Sequence, residues 1–342
     1  MKFLRKILLP FSVIYWLVTF IRNVFYNNGI FKQYSFSVPV IAIGNLSTGG
    51  TGKTPQTEYL IRLLSGNYKI ATLSRGYKRK SVGFVLADAN SNADVLGDEP
   101  YQFYSKFPNI SVAVDANRKN GIEQLLQLSP KPQVILLDDA YQHRRVKAGF
   151  YILLTAYGDL YADDHVLPAG DLREGRSGAK RAKAIIVTKC PPDLSATEQQ
   201  LIIKKLNPDA GQKVYFTCIE YDDKVYSGNG QINVEDVITA NPILVAGIAK
   251  PKPFFEYLQG KNDNCKAYPD HHDFSESEIT DLNKLSQNKI IITTEKDYMR
   301  LKGKLADDKL YYLPIKSRFL TSADDFNKTI HNYYVGQSTT NR

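Results

Sequence analysis

Residues 44–55 read GNLSTGGTGKTP and decide the fold class of the N-terminal half of the chain. They follow an apolar, strand-like segment, PVIAI, and precede a plausible helix, TPQTEYLIRLL. A strand, a Gly-rich loop and a helix in this order form a P-loop, whose backbone N–H groups and helix N-terminus bind the phosphates of a nucleotide. The sequence therefore predicts nucleotide contacts from Thr48, Gly49, Gly50, Thr51, Gly52, Lys53, Thr54 and Pro55.

Two side chains of this loop are typical of phosphate and metal binding. In a P-loop the Lys, here Lys53, reaches the β- and γ-phosphates, and the hydroxyl that follows it, here Thr54, binds Mg²⁺. The loop departs from the usual pattern G-x-x-x-x-G-K-[ST], because Ser47 stands where the first Gly is expected. A Gly-rich turn beside an incidental Lys is the alternative. The flanking strand and helix favour the P-loop.

A second strand-like segment, VILLDD at residues 134–139, ends in Asp138 and Asp139. Two carboxylates at the end of a buried strand are costly unless a cation or hydrogen-bond donors lie nearby. In a P-loop enzyme such a strand places one Asp near Mg²⁺. We therefore predict a metal site formed by Thr54, Asp138 and Asp139, and the pattern does not choose between the two acids.

The chain has 342 residues, which is long enough for two domains. Continuous Val- and Ile-rich runs separated by helix-length stretches predict a mostly parallel sheet with helices on both faces. Around the Asp222-Asp223 turn, VYFTCIEY and KVYSG predict an antiparallel two-stranded linker. The predicted organisation is an N-terminal helix at 1–30, a P-loop domain at 31–212, the linker at 213–238 and a smaller α/β domain at 239–335. Strands of the first domain are predicted at 39–45, 69–75, 83–87, 110–115, 134–139, 150–156 and 184–189.

The N-terminus is the most apolar segment of the chain. Residues 7–21, ILLPFSVIYWLVTFI, carry no charge, whereas Lys2, Arg5 and Lys6 precede them and Arg22 follows. The run is shorter than the about 20 residues that span a bilayer, and no small-residue cleavage site follows it. We expect an uncleaved helix that lies in or dips into the membrane interface, with its cations near anionic lipid. A buried core helix is the alternative.

Charge and cysteine usage limit the partners. Lys plus Arg exceed Asp plus Glu by 44 to 35, a net charge of +9, which favours nucleic acid, phosphates or an acidic bilayer. Cys190, Cys218 and Cys265 are scattered, so neither a zinc site nor a disulfide framework is predicted. Because we find no aromatic–basic binding motif, a nucleic-acid-dependent NTPase ranks last and no nucleic-acid partner is expected.

Polar clusters recur at predicted strand ends and in loops, where α/β proteins build their sites. The clusters are GNLSTGGTGKTP (44–55), SRGY (74–77), GDEP (97–100), DANR (115–118), DDAYQHRR (138–145), LPAGDLRE (167–174), GIAKP (247–251), DHHDF (270–274) and TTEKD (293–297). In this order they closely resemble tetraacyldisaccharide 4′-kinase, the lipid A 4′-kinase of Gram-negative bacteria, over nearly the whole chain.

The resemblance implies a fold, a reaction and a location. It implies two α/β/α sandwich domains, the larger with a P-loop NTPase-type parallel sheet, joined by a two-stranded β linker and preceded by a membrane-associated helix. It implies ATP- and Mg²⁺-dependent phosphorylation of the 4′-hydroxyl of a tetraacylated glucosamine disaccharide 1-phosphate, a lipid A precursor. It also implies a peripheral or monotopic enzyme on the cytoplasmic face of the bacterial inner membrane. Neither the residues nor the resemblance predict an oligomeric state.

The resemblance also implies roles for individual residues. Asp98 of GDEP matches the proposed base and His271 of DHHDF its partner, a pair that needs the two domains to close. Asp138 and Asp139 match the metal-side acids, and Lys53 belongs to the catalytic set through the P-loop. The polar residues implied to line the site are Arg118, Arg173 and Glu174, and either Arg could neutralise charge on the transferred phosphoryl group.

Simpler interpretations of these residues exist. Asp98 before Glu99-Pro100 could only cap a helix, His271 could be a surface residue, and Glu174 could be the ion-pair partner of Arg173. At the level of the whole protein, a membrane-associated P-loop switch or partitioning ATPase without a small-molecule acceptor is the alternative function. The second unit with its DHHDF loop favours the kinase, because a switch does not need it.

Overall fold

The phosphate loop is carried by the larger of two sheets in the computed structural model, which describes residues 5–260 and 263–340 and gives the backbone alone for Lys6 and residues 335–340. Within the described residues this sheet has nine strands in the order β15-β8-β7-β6-β1-β5-β2-β4-β3. Its inner strands run parallel, and β3 and β15 are antiparallel edges. The strands are β1 Val40–Asn45, β2 Ile70–Ser74, β3 Val85–Leu86, β4 Ser111–Val114, β5 Val134–Leu137, β6 Phe150–Ala156, β7 Ala184–Thr188, β8 Lys213–Tyr221 and β15 Ile315–Phe319. The predicted α/β fold is confirmed.

Helices cover both faces of this sheet because its strands are apolar on both sides. Every residue of β1, β2, β5 and β7 is buried. The long helix after the phosphate loop packs its buried residues Leu60, Ile61 and Leu64 against the core. The helices of this part of the chain are α1 Leu9–Asn27, α2 Lys53–Ser65, α3 Ala93–Leu96, α4 Asp98–Lys106, α5 Arg118–Leu125 and α6 Ala196–Leu206, with 3₁₀ turns at Lys6–Leu8, Tyr161–Asp163 and Arg176–Arg181.

The strand order brings the phosphate loop and the acidic strand end together. β1 lies between β5 and β6, and Ala42 of β1 is in register with Leu137 of β5. Because the two strands are parallel, their carboxyl ends reach the same edge of the sheet. The loop that follows β1 therefore lies beside Asp138, which follows β5.

The second sheet is smaller and also mostly parallel. Among the described residues six strands have the order β10-β9-β14-β13-β11-β12, of which β9 and β10 are antiparallel. Helix α10 packs against α4 of the larger domain, which joins the two units beside the phosphate loop. The elements are β9 Lys224–Tyr226, β10 Gln231–Asn233, α7 Val234–Thr239, β11 Ile243–Ala246, α8 Lys252–Tyr257, β12 Cys265–Ala267, α9 Glu276–Ser286, β13 Ile291–Thr294, α10 Glu295–Leu301 and β14 Leu310–Leu313.

The two-stranded connection exists, but the predicted pairing of its strands is wrong. β8 does not fold back on β9; it pairs antiparallel with β15, with Tyr221 opposite Ile315. The chain crosses between the sheets at Asp222 and again at Pro314, where the Asp222 N–H donates to the Pro314 carbonyl. The sequence pattern suggested the nearest strand as the partner, whereas the actual partner lies about 100 residues downstream in the numbering.

The C-terminal helix α11, Ala323–Thr340, returns to the first sheet. Phe326 and Ile330 are fully buried in the core beneath β1 and α2. The predicted domain limits remain a prediction, and this packing leads us to assign the residues from β15 onward to the larger domain rather than to the smaller one.

Helix α1 presents an apolar surface. Of its nineteen residues it buries only Ser12 and Thr19, whereas Phe11, Ile14 and Val18 are each more than 60% exposed. This exposure argues against a core helix, and by length and composition α1 could cross a membrane. The helix is longer than the predicted apolar run, since it continues to Asn27. Residues 1–4 of the predicted membrane segment, with Lys2, lie outside the described residues, as does the side chain of Lys6.

Candidate functional site

The phosphate loop ends in a residue that needs a positive backbone angle. Gly52 has φ +80° and immediately precedes α2, so its left-handed conformation turns the chain into the helix. Lys53 is the first residue of α2, and its Nζ lies 3.8 Å from Asp139 Oδ1. The strand–loop–helix geometry of a P-loop is therefore present, with the ammonium group directed toward the end of β5.

Carboxylates gather around the hydroxyls of α2. Thr54 Oγ1 donates to Glu99 Oε1 at 3.1 Å, and Thr57 Oγ1 donates to Asp138 Oδ1 at 3.1 Å. Burial, together with the negative charges of Glu99 and Asp139, raises the pKa of Asp138 to about 7, although Lys53 and Thr57 lower it. Such an excess of negative charge is relieved by a cation.

These residues fit Mg²⁺. The described side chains form no cluster of three His, Cys, Asp or Glu close enough to hold a metal without other ligands. Mg²⁺ in nucleotide-dependent enzymes usually takes one or two carboxylates and completes its shell with phosphates and water. Thr54, with Asp138 or Asp139 and with Glu99 beside it, supplies that kind of partial set.

Lysines surround the loop beyond the predicted Lys53. Lys189 Nζ donates to the Gly50 carbonyl at 2.6 Å, and Lys296 Nζ donates to Glu99 Oε1 at 2.6 Å. Burial lowers the pKa of Lys189, and the positive charges of Lys250, Lys296 and Lys53 lower it further. A site with several cations attracts a polyanion such as a triphosphate.

Asp98 lies at the start of α4, and its side chain does not act as the helix cap. Gly97 occupies the cap position with φ +88°, and a Cβ there would lie 2.9 Å from the Tyr77 carbonyl. The Asp98 carboxylate instead accepts two hydrogen bonds from Arg300, at 3.0 Å from Nε and 2.5 Å from Nη2. The alternative that Asp98 only caps a helix is wrong.

His271 lies next to Asp98, as the two-residue prediction requires, but the contact runs through Arg300. His271 Nδ1 is 3.6 Å from Asp98 Oδ2, beyond a hydrogen bond, and 3.0 Å from Arg300 Nη2. Although burial raises the pKa of Asp98, the Arg300 guanidinium helps to bring it down to about 2. Its neighbour His272 instead contacts Glu278 at 3.0 Å and stacks on Tyr268.

Arg118 is 2% exposed and is directed at the backbone. Its Nη1 donates to the Asp115 carbonyl at 2.6 Å and its Nη2 to the Asp138 carbonyl at 3.5 Å. These bonds tie the end of β4 to the end of β5. Burial lowers the pKa of Arg118 to about 10, against the opposing effect of Asp138 and Asp139.

Arg173 and Glu174 follow each other in the chain but have different partners. Arg173 Nη1 donates to Asp139 Oδ1 at 3.2 Å. Glu174 is 1% exposed in its side chain and accepts two hydrogen bonds from Arg181, at 2.7 and 2.9 Å. It also accepts one from Asn23 of α1 at 2.7 Å. The alternative that Glu174 pairs with Arg173 is therefore wrong.

The remaining loop residues shape the backbone. The Thr48 N–H donates to the Asp171 carbonyl at 2.8 Å, and the Thr51 carbonyl accepts from Thr188 Oγ1 at 2.8 Å. A Cβ at Gly49 would meet nothing within 4 Å, so this part of the loop is open on its outer side. Pro55 is buried in the first turn of α2, where its missing N–H costs nothing.

Several residues of the site were not predicted from the sequence. Glu99, Lys296 and Arg300 connect the two units, and Lys189 lies against the phosphate loop. Glu99 and Lys296 stand inside the clusters GDEP and TTEKD, which were the available signal. Arg300 follows TTEKD by three residues, one turn of helix α10, and no pattern pointed to it.

The comparisons with known proteins decide the family. Residues 4–334 match the family model described as tetraacyldisaccharide-1-P 4′-kinase. The chain belongs to this family. It is therefore an ATP- and Mg²⁺-dependent kinase, and the switch or partitioning ATPase is not favoured.

Named relatives cover the whole length of the chain. A tetraacyldisaccharide 4′-kinase of Flavobacterium psychrophilum is 62% identical over 100% of both chains, and one of Bacteroides thetaiotaomicron is 44% identical over 99% of this chain and 95% of the relative. Among solved structures, LpxK from Aquifex aeolicus in complex with ATP has a TM-score of 0.78 at 30% identity, covering 97% of this chain and 99% of that one. The resemblance stated from the ordered clusters is confirmed.

Proposed function

We propose that this kinase transfers the γ-phosphate of ATP to the 4′-hydroxyl of a tetraacylated glucosamine disaccharide 1-phosphate, a lipid A precursor held at a membrane surface. The family membership supports the acceptor class. The geometry of the site supports the direction of transfer, from a nucleotide on the phosphate loop to a hydroxyl at Asp98.

One observation carries the proposal. Thr54 Oγ1 of the phosphate loop lies 3.1 Å from Glu99 Oε1, and Glu99 directly follows Asp98. A group held at Asp98 is therefore next to the metal side of a bound triphosphate. Phosphoryl transfer depends mainly on such positioning and on charge stabilisation, since the protein has little covalent chemistry to perform.

Each residue of the site has its own role in the transfer. Asp98 accepts the proton of the 4′-hydroxyl as the sugar oxygen forms its bond to the γ-phosphorus. The bond from that phosphorus to the β,γ-bridging oxygen breaks, and ADP leaves with the electron pair. Lys53 binds the β- and γ-phosphates. Thr54 and either Asp138 or Asp139 would hold Mg²⁺, which would supply neutralisation of charge on the phosphates.

Arg173 is better placed than Arg118 to meet the transferred group. Arg173 lies at Asp139 and is 29% exposed in its side chain, whereas the terminal nitrogens of Arg118 already donate to two carbonyls. We therefore assign Arg173 to charge stabilisation at the γ-phosphate. Arg118 and Glu174 hold the loops in which the reacting residues lie.

The N-terminal helix supports a membrane location for this reaction. The exposed apolar face of α1 fits the interface, and its polar residues bind the loops of the site: Tyr15 Oη donates to the Arg173 carbonyl at 2.9 Å, and Asn23 donates to Glu174. An enzyme anchored in this way acts at the surface where an acylated disaccharide resides. We propose the cytoplasmic face of the bacterial inner membrane, because ATP is supplied there.

The test is transfer of labelled phosphate from ATP to the tetraacylated disaccharide 1-phosphate in detergent micelles. Wild type and Lys53→Ala are compared, with the exposed Lys252→Ala as a matched control. We expect product from wild type and from Lys252→Ala, and a loss of about 100-fold or more in Lys53→Ala. An acceptor already phosphorylated at the 4′ position should remain unlabelled. ATP hydrolysis by wild type without lipid product would overturn the proposal.

A further inference from the structure

Arg300 is the residue in which the two halves of the proposed catalytic pair meet. It lies on α10 in the second domain, and its side chain is 7% exposed. All three nitrogens of its guanidinium group have partners. Nε and Nη2 donate to Asp98 Oδ2, and Nη2 also faces His271 Nδ1 at 3.0 Å. Nη1 donates to Asp297 Oδ1 at 2.9 Å.

Asp297 fixes the guanidinium from behind. This carboxylate is fully buried and also accepts from the Gly247 N–H at 2.8 Å and from Thr294 Oγ1 at 2.7 Å. Because Nη1 is bound to this constrained carboxylate, the orientation of the guanidinium is fixed. Its other edge, formed by Nε and Nη2, therefore faces Asp98 and His271. The planar guanidinium distributes five donors over three nitrogens and so contacts all three groups in a fixed arrangement, whereas an ammonium has its three donors on a single nitrogen.

The contact with His271 defines the state of the imidazole. A guanidinium can only donate, so Nδ1 must accept, and a neutral imidazole then carries its proton on Nε2. The backbone of His271 is also constrained, since its φ is +57° and its N–H donates to the Gly247 carbonyl at 3.2 Å. The ring of Tyr77 from the first domain packs edge-on against it at 5.8 Å between centroids.

The contact with Asp98 leaves one oxygen for the substrate. Both hydrogen bonds from Arg300 end on Oδ2, and within the described part of the chain Oδ1 has no hydrogen-bond partner. A carboxylate that is held through one oxygen directs the other. We propose that Arg300 is a positioning residue for phosphoryl transfer, which orients Asp98 Oδ1 toward the acceptor hydroxyl and fixes the tautomer of His271 when the second domain lies against the first.

This inference rests on the proposed function, and its test separates the two. Turnover and KM are measured for wild type, Arg300→Gln and Arg300→Lys, with the exposed Arg318→Gln as the matched control. We expect kcat to fall about 100-fold in Arg300→Gln, with KM for ATP changed less than about threefold. Arg300→Lys should recover part of the rate, because it restores one charge-assisted bond to Asp98. If wild type forms no lipid product, the proposed function fails; if Arg300→Gln turns over like wild type, only this inference fails.

Chemical rescue distinguishes positioning from a purely structural role. Millimolar guanidinium should restore turnover of Arg300→Ala at least several-fold and leave Arg318→Ala unchanged. Binding of a fluorescent ATP analogue to Arg300→Ala shows that the variant is folded; if it does not bind, the same rescue is measured on Arg300→Ser. A folded variant without rescue would overturn the inference. So would a loss in the double variant Asp98→Asn/Arg300→Gln equal to the product of the two single losses, since residues that act through one another are not additive.

Discussion

Lys296 Nζ lies 2.6 Å from Glu99 Oε1, so an ion pair joins the second domain to the first directly beside the phosphate loop. The same Glu99 oxygen accepts from Thr54 Oγ1 at 3.1 Å. The Glu99 carboxylate therefore contacts both the phosphate loop and the second domain. A change at either side alters the surroundings of the other.

Removing this ion pair should destabilise the protein. Lys296→Met leaves Glu99 without its nearest cation, and because both side chains are about three-quarters buried we expect a loss on the order of 1–2 kcal/mol at pH 7. Burial raises the pKa of Glu99, but Lys296 and Lys53 lower it to about 2, so its contribution is present above about pH 4.5. The contribution is then lost as the pH falls from 4.5 toward 2.

Thermal unfolding at pH 7 and pH 3.5 tests this prediction. The difference in Tm between wild type and Lys296→Met should be larger at pH 7 than at pH 3.5. Lys205→Met, which breaks a half-exposed pair with Asp163, is the control and should cost less than about 1 kcal/mol. An equal effect of both variants would argue against a special role of the Lys296 pair.

Replacing the proposed base should remove turnover and spare nucleotide binding. Asp98 contacts Arg300 and lies near His271, and none of its described contacts is with the phosphate loop. We expect Asp98→Ala to lower kcat by a factor of about 100 to 10,000 while the Kd for ATP stays nearly constant. Asp94→Ala, four residues earlier and paired with Lys80 on the surface, is the matched control. Near-normal turnover in Asp98→Ala would remove this residue from the chemistry.

The apolar face of α1 should determine membrane binding. Ile14 and Val18 lie four residues apart and are each 62% exposed. Two glutamates at these positions remove apolar contact and add charge that an anionic bilayer repels, so we expect vesicle binding to fall at least about tenfold. Flotation with anionic phospholipid vesicles measures it. Leu201→Glu, an equally exposed leucine on α6, should bind like wild type; unchanged binding of the double variant would exclude α1 as the anchor.

Local patterns in the sequence were sufficient for seven of the nine described strands of the first sheet and for the phosphate loop. The loop is continuous in sequence, so its glycines, Lys53 and Thr54 appear together. The buried strands can be recognised as apolar runs. The seven strands predicted for the first domain match observed strands to within two residues at each end. The position of Asp138 beside the phosphate loop could also be predicted, because neighbouring parallel strands end at the same edge of the sheet.

Long-range pairings were not visible in the sequence. Nothing near β8 indicates that its partner is β15 rather than β9, because both candidates are short strands that mix apolar and charged residues. The sequence around Arg300 also gives no sign of its role, because an Arg near the end of a short helix is usually a solvated surface residue. Only the packing of α10 on α4 brings it to Asp98. Roles that depend on domain contact require the tertiary structure.

A second buried charge cluster between the domains should give stability a distinct pH dependence. Lys106 on α4 binds both Glu58 of α2, at 2.8 Å, and Glu295 of α10. Glu58 is further paired with Arg62, and Glu295 accepts from the Ile315 N–H at 3.1 Å. One lysine thus lies between two almost fully buried carboxylates.

The direction in which Glu295 makes stability depend on pH follows from the direction of its pKa change. Burial has the largest effect and, with the negative charge of Glu58, raises the pKa of Glu295 to about 7, although Lys106 and the Ile315 N–H lower it. An acid whose pKa is higher in the folded than in the unfolded state binds its proton more tightly on folding. Its favourable contribution is therefore present below about pH 4.5 and is lost as the pH rises through the raised value.

Glu295→Gln should abolish this part of the pH dependence. Between pH 5 and pH 8, Tm of wild type should fall by more than Tm of Glu295→Gln, and the variant should gain on the order of 1 kcal/mol relative to wild type at the upper end. The amide keeps the size of the side chain and one acceptor for Lys106, while its NH2 group replaces the oxygen that accepts from the Ile315 N–H. Glu123→Gln, which alters an exposed pair with Lys119, controls for the loss of one surface charge. Parallel pH profiles of wild type and Glu295→Gln would show that Glu295 stays ionised in the folded protein, and the cluster would then be an ordinary salt-bridge network.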